Sequence, residues 1–126
     1  MTRTALKPDG LAVPKAPYSS VLVSGDLVFT AGQVAFDEQG ALVSDDFAEQ
    51  AHQVFRNVQA CLEAAGCGWQ DVVKTTCFLV DLGDFPAFNE IYRQYLVEPY
   101  PARSTVQAGL FGGCVVEVEA IARKPA

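Results

Sequence analysis

The chain has 126 residues, half of them hydrophobic, with a formal net charge of −6 and a pI near 4.6. That length suits one domain spanning residues 1–126, and a domain of this size buries roughly two thirds of its unfolded surface, so a real core is expected. The acidic balance repels polyphosphate and anionic membranes, which argues against nucleic acid or membrane partners, and no stretch approaches the roughly 20 apolar residues of a membrane span.

Residues 1–6 lack the apolar run of a signal peptide, so a cytoplasmic protein is expected. Residues 8–17, interrupted by Pro8, Pro14 and Pro17, read as an irregular arm. Two β-rich runs follow, Ser20-Val21-Leu22-Val23 and Leu27-Val28-Phe29-Thr30, with Gly25-Asp26 between them as a hairpin turn. Residues 37–40 carry a second turn signal.

Residues 46–65 have a helical period. Phe47, Ala51, Val54, Phe55, Val58, Leu62 and Ala65 recur at helical steps, with Glu49, Gln50, Gln53, Arg56, Asn57 and Glu63 largely opposite. Asp46 with Glu49 resembles a capping box, and Gly66 suits the position just past the end. Residues 72–80 are a β-branched run, apolar on both faces, which predicts a central strand. A second helix is predicted over 85–96, with Asp84 as its cap and Pro86 in its first turn. Its apolar side is Phe85, Phe88, Ile91, Tyr92, Tyr95 and Leu96, and Pro99 and Pro101 end it. Two strands, about 103–109 and 115–123, complete the chain. The order β-β-(β)-α-β-α-β-β predicts an α+β domain, a sheet with two helices covering one face.

The four cysteines, Cys61, Cys67, Cys77 and Cys114, form no C-x-x-C pair, and His52 is the only histidine. The spacing does not make a zinc site, so the cysteines read as small core residues and His52 as structural or exposed. Gly112-Gly113 lacks the lysine of a phosphate loop and reads as a turn.

Alternation along the last two strands sorts their side chains into faces. Ser104, Val106, Ala108 and Leu110 are small or apolar and are predicted to lie under a helix. Arg103, Thr105 and Gln107 take the other face. In the last strand Val116, Val118, Ala120 and Ala122 form an apolar face, and Val115, Glu117, Glu119, Ile121 and Arg123 the opposite one. Arg103, Glu117 and Glu119 are thus expected on one surface. That surface has two readings. It is either a solvated or subunit-facing face laced with ion pairs, or a site in which an arginine fork grips a carboxylate while a glutamate places a water.

The segments Pro101-Ala102-Arg103-Ser104-Thr105-Val106 and Val116-Glu117-Val118-Glu119-Ala120-Ile121-Ala122 resemble the signature of the RidA-type (YjgF-like) deaminase family. Ala16-Pro17-Tyr18-Ser19, Thr30-Ala31-Gly32-Gln33, Asn57-Val58, Ala64-Ala65-Gly66, Val73-Lys74-Thr75-Thr76 and Asn89-Glu90-Ile91-Tyr92 match in order, so the likeness runs from about residue 8 to 123. The resemblance implies a chorismate-mutase-like fold with a mixed sheet, and a homotrimer with sites between subunits. It also implies no metal and no organic cofactor. It assigns Arg103 to the substrate's α-carboxylate, Glu117 to the attacking water, and Tyr18, Gly32 and Asn89 to the pocket. The implied chemistry turns an enamine or imine such as 2-aminoacrylate into a 2-keto acid and ammonia. Ala31 stands where many members have serine, Thr105 where many have cysteine, and Leu110-Phe111-Gly112-Gly113 replaces a common Leu-Pro turn. Ala31 points to a larger or more specialised imine, or to a non-catalytic trimer that binds small acids or regulates a partner enzyme.

Overall fold

The computed structural model describes residues 2–126. Strands β1 (Arg3–Leu6), β2 (Val21–Ser24), β3 (Leu27–Thr30), β4 (Val72–Leu79), β5 (Ala102–Gln107) and β6 (Val116–Arg123) form one sheet, in the order β1-β2-β3-β6-β4-β5. Only β4 and β5 pair in parallel, so the sheet is mixed, and helices α1 (Phe47–Ala64) and α2 (Phe85–Tyr95) cover one of its faces. The parallel pair needs a crossover, and α2 supplies it.

Local sequence explains most element ends. Ser24 pairs with Leu27 across a two-residue turn whose first residue, Gly25, has φ +63°, the backbone a tight hairpin of this kind requires. Asp46 caps α1 by accepting from the Glu49 N–H at 3.0 Å. The box is completed differently from the expectation: the Glu49 carboxylate accepts from the Ser44 hydroxyl, and that hydroxyl accepts from the Asp46 N–H. At the other end Gly66, φ +75°, donates to Glu63 O while Cys67 donates to Leu62 O, which satisfies the last carbonyls. Asp84 does not cap α2. A 3-10 turn at Leu82–Asp84 runs straight into the helix, and the carboxylate that caps is Asp81, accepting from Gly83 N at 2.8 Å.

The apolar stripe of α1 packs on β6 and α2. Phe55, fully buried, stacks on Tyr95 at 4.9 Å and on Phe88 at 5.8 Å between ring centroids. All four cysteines are buried in or against this core as free thiols. His52 is structural: its Nδ1 lies 2.8 Å from the Tyr95 hydroxyl.

Three expectations need correction. Arg3–Leu6, ahead of the irregular arm expected over residues 8–17 and given no element in the expected order, forms an edge strand on β2; its polar sequence pairs through the backbone. The optional strand expected between the Leu27–Thr30 run and α1 does not form among the described residues; an isolated bridge between Phe36 and Leu42 stands there instead. And β4 is central in the sheet but covered on one face: Val72, Thr75, Cys77 and Leu79 are buried, while Lys74, Thr76 and Phe78 are only partly covered.

Candidate functional site

The register of β4 decides where the chemical groups point, because paired side chains share a face. Arg103 pairs with Thr75 and Thr105 with Cys77, both buried on the helix side. Glu117 pairs with Phe78, and Glu119 with Thr76, on the open side. The expected face assignment of β5 is therefore inverted. Arg103 and Thr105 lie on the helix side, whereas Ser104 and Val106 face outward, Val106 being 44% exposed. The physical reason is the aromatic lining of α2, which accepts a guanidinium plane as readily as an aliphatic side chain.

Arg103 sits at the sheet's rim on β5, the edge strand. Its guanidinium carbon lies 4.7 Å from the Tyr92 ring centroid, 5.3 Å from Phe85 and 6.0 Å from Phe88. Nη1 donates to Asn89 Oδ1 at 2.9 Å, which fixes the fork. Among the described residues no carboxylate comes within ion-pairing distance of it. The hollow in front, about 270 Å³, is lined by Asn89, Tyr92, Arg93, Tyr100, Pro101 and Arg103. Behind it the Thr105 hydroxyl is buried with no hydrogen-bond partner of its own; it lies against the Cys77 thiol, whose proton affinity it slightly lowers. Burial still pushes Cys77 up to about 11 and Cys61 up to about 12, so these are inert thiols and not nucleophiles.

Glu117 belongs to a second hollow, about 320 Å³, walled by Tyr18, Ala31, Gly32, Val34, Phe36 and Phe111. Gly32 leaves room for the Glu117 carboxylate: a Cβ there would meet it, its Cδ at 2.8 Å, and would displace that side chain. A two-way backbone bridge between Gln33 and Val118 holds Gly32 in that place. Burial, and secondarily the like charge of Glu119, raises the Glu117 carboxyl above the ordinary glutamate range.

The predicted site residues thus fall into two groups. Tyr18, Ala31, Gly32 and Glu117 come together in one hollow; Asn89 and Arg103 line the other, with Thr105 on the same face of β5 but buried behind it. The two groups lie on opposite faces within one chain. Sequence reasoning missed Phe36, Val34 and Phe111 as walls and the aromatic seat of Arg103. Phe85, Phe88 and Tyr92 showed in the sequence only as a helical apolar stripe, which also describes a plain core.

Solved structures share this architecture. RidA from the Antarctic bacterium Psychrobacter sp. matches with TM-score 0.89 at 40% identity, covering 95% of this chain and 98% of its own, so the fold is of the RidA class. E. coli TdcF, solved with bound serine, matches with TM-score 0.89 at 33% identity over 97% of this chain and 99% of its own. The human 2-iminobutanoate/2-iminopropanoate deaminase is 43% identical over 108 residues, 84% of this chain and 79% of that protein. The family described as Endoribonuclease L-PSP matches residues 10–124, and the chain belongs to this family, the RidA-type proteins.

Proposed function

We propose that the protein hydrolyses reactive enamines and imines of 2-amino acids, of the 2-aminoacrylate type, to 2-keto acids and ammonia. The observation that carries this reading is Arg103: a half-buried guanidinium, oriented by Asn89 and seated on aromatic rings, with no acidic partner among the described residues. Such a fork binds a carboxylate bidentately. The relatives named imine deaminases, and the serine bound to TdcF, support a small amino-acid-like substrate.

In the proposed reaction Arg103 grips the substrate's α-carboxylate, and Tyr18, Ala31, Gly32, Asn89 and Thr105 shape the space around it. An enamine first takes a proton at its β-carbon and gives one up from nitrogen, to become the imine. Glu117 accepts a proton from water as the water oxygen bonds to the imine carbon and the nitrogen is protonated. The C–N bond of the resulting carbinolamine then breaks, ammonia leaves, and the C=O of the keto acid forms. The raised proton affinity of Glu117 brings its exchange nearer to neutral pH. Positioned acid–base groups of this type contribute about 10²–10⁴-fold.

Arg103 and Glu117 act together only if another copy completes the site, so the proposal includes a homotrimer with sites between subunits. Two features support association. Arg103 stands on an edge strand and can reach across a subunit boundary, and the open sheet face carries Leu22, Phe29, Phe78, Val106 and Ile121, too apolar to stay bare. No helix among the described residues is long and apolar enough to cross a membrane. The four free thiols suit a reducing compartment, and the proposed setting is the cytoplasm. The net charge of −6 favours a small acid over RNA as the ligand.

The test generates imines with an amino-acid oxidase and traps them with semicarbazide. The wild type is expected to suppress semicarbazone and speed keto-acid release, and Glu117→Gln to lose most of this while still binding product acids. If the wild type leaves imines of several sizes untouched, the protein is a small-carboxylate-binding or regulatory trimer instead, as Ala31 would allow.

A further inference from the structure

The walls of the Glu117 hollow are aromatic and fixed. Phe36 and Phe111 meet edge to face at 5.9 Å between centroids, and Tyr18 and Val34 line the same space. Phe111 is 65% exposed in the single chain, so its ring is open to whatever enters the hollow. On its other side Phe111 borders a further hollow of about 590 Å³ with Phe78, Leu110 and the same Glu117, so the space at this carboxylate is apolar on both flanks.

Buried amides of α1 hold the Phe36 backbone directly and the turn carrying Phe111 at Gly113 and Val115. Asn57 Nδ2 donates to the carbonyls of Val34 and Phe36, each at 3.0 Å. Gln50, fully buried, donates to Gly113 O at 3.0 Å and accepts from Val115 N at 2.9 Å, which pins the turn that presents Phe111. That turn closes through Gly112 and Gly113 at φ +63° and +79°, with Cys114 N donating back to Phe111 O. A bare association surface would not need the Phe36 backbone and the turn after Phe111 each tied to α1. A slot that must keep its shape while substrates come and go does.

From this we infer that the hollow is a side-chain pocket, with Phe36 and Phe111 as specificity-determining walls, and that the preferred substrates are 2-imino acids bearing a bulky apolar or aromatic side chain. The inference rests on the deaminase reading. With the carboxylate on Arg103 of a neighbouring copy and the imine carbon at Glu117, the substituent falls against these rings. Ala31, a methyl where a hydroxyl would hydrate the wall, keeps that side apolar.

Two measurements test this. Calorimetry compares phenylpyruvate with pyruvate as product acids; since a single methylene in an apolar pocket is worth about tenfold or more, phenylpyruvate is expected to bind at least about tenfold tighter. The semicarbazide assay compares imines made from phenylalanine and from alanine, and the same direction is expected in the protein needed to halve the trapped yield. Phe111→Ala is expected to bring both ratios close to one. Suppression of the alanine imine with no preference for the phenylalanine imine overturns the side-chain pocket and leaves the deaminase reading standing. So does a wild-type ratio that Phe111→Ala leaves intact. Suppression of neither imine overturns both.

Discussion

Arg103 and Glu117 face opposite sides of one sheet: through β4 the first shares a face with Thr75 and the second with Phe78. A chain that needs both groups at one substrate has to borrow one from its neighbour. In a closed ring of identical contacts, each site then takes its arginine from one copy and its glutamate from the next.

Subunit mixing follows from that geometry. Arg103→Ala and Glu117→Gln are each expected to be inactive alone. Mixed in equal amounts through unfolding and reassembly, they regain activity, because a site between an intact arginine and an intact glutamate forms in about a quarter of random pairings. Turnover of the mixture reads the result, and light scattering checks for three chain masses. A mixture as dead as its parents would place both groups' action within single chains and remove the shared site.

The acid side of the pH profile gives a second expectation. Glu117 must be ionised to accept a proton from water, and burial and the Glu119 charge hold its carboxyl above the usual range. Activity is therefore lost, as pH falls, at a higher pH than an ordinary glutamate would give. Glu119→Gln removes the like charge, eases ionisation of Glu117, and moves that limb to lower pH; burial keeps it from returning fully to the ordinary position. A limb that stays in place in this variant would assign it to another group.

The sequence made the elements legible and left the faces ambiguous. The apolar period of α1 and the alternation of β6 follow directly from apolar spacing, and the structure keeps both, but Gln50 and Asn57, expected largely on the polar side of α1, are buried. Alternation within β5 was equally clear, but it cannot say which side the helices cover. The rule that small or apolar residues go under a helix favoured Ser104 and Val106, and it failed because α2 presents Phe85, Phe88 and Tyr92 as a seat for Arg103. Phe111 sits in a run that reads only as a turn. Its place beside Phe36 depends on long-range ties from Gln50 and Asn57, which no local pattern encodes.

Gln50 is expected to matter for stability well beyond its polarity. It is fully buried and joins Ser44 O, Gly113 O and Val115 N through one side chain. Gln50→Leu nearly keeps the volume but strands those backbone groups. At about 1–3 kcal/mol for a buried group left unpaired, the loss should reach at least about 2 kcal/mol. Urea unfolding measures it, and a change within about 0.5 kcal/mol, the range of an ordinary surface substitution, would mean that the two loops hold without the amide.

Thr105 separates a binding role from a structural one. Its hydroxyl is buried beside Arg103's strand position without a hydrogen-bond partner, a cost to the folded chain that a ligand oxygen could offset. Thr105→Val keeps the β-branched shape and the strand preference while deleting only the hydroxyl. Nothing hydrogen-bonded is lost in the free protein, so stability should hold or rise by up to about 1 kcal/mol. If the hydroxyl serves the substrate carboxylate held by Arg103, affinity for 2-oxobutyrate should fall by roughly fivefold to tenfold, as for one lost hydrogen bond. Urea midpoints and calorimetry on the same two proteins read both quantities. Unchanged affinity would take Thr105 out of the pocket, and a clear loss of stability would show that its contact with the Cys77 thiol is worth more than a weak one.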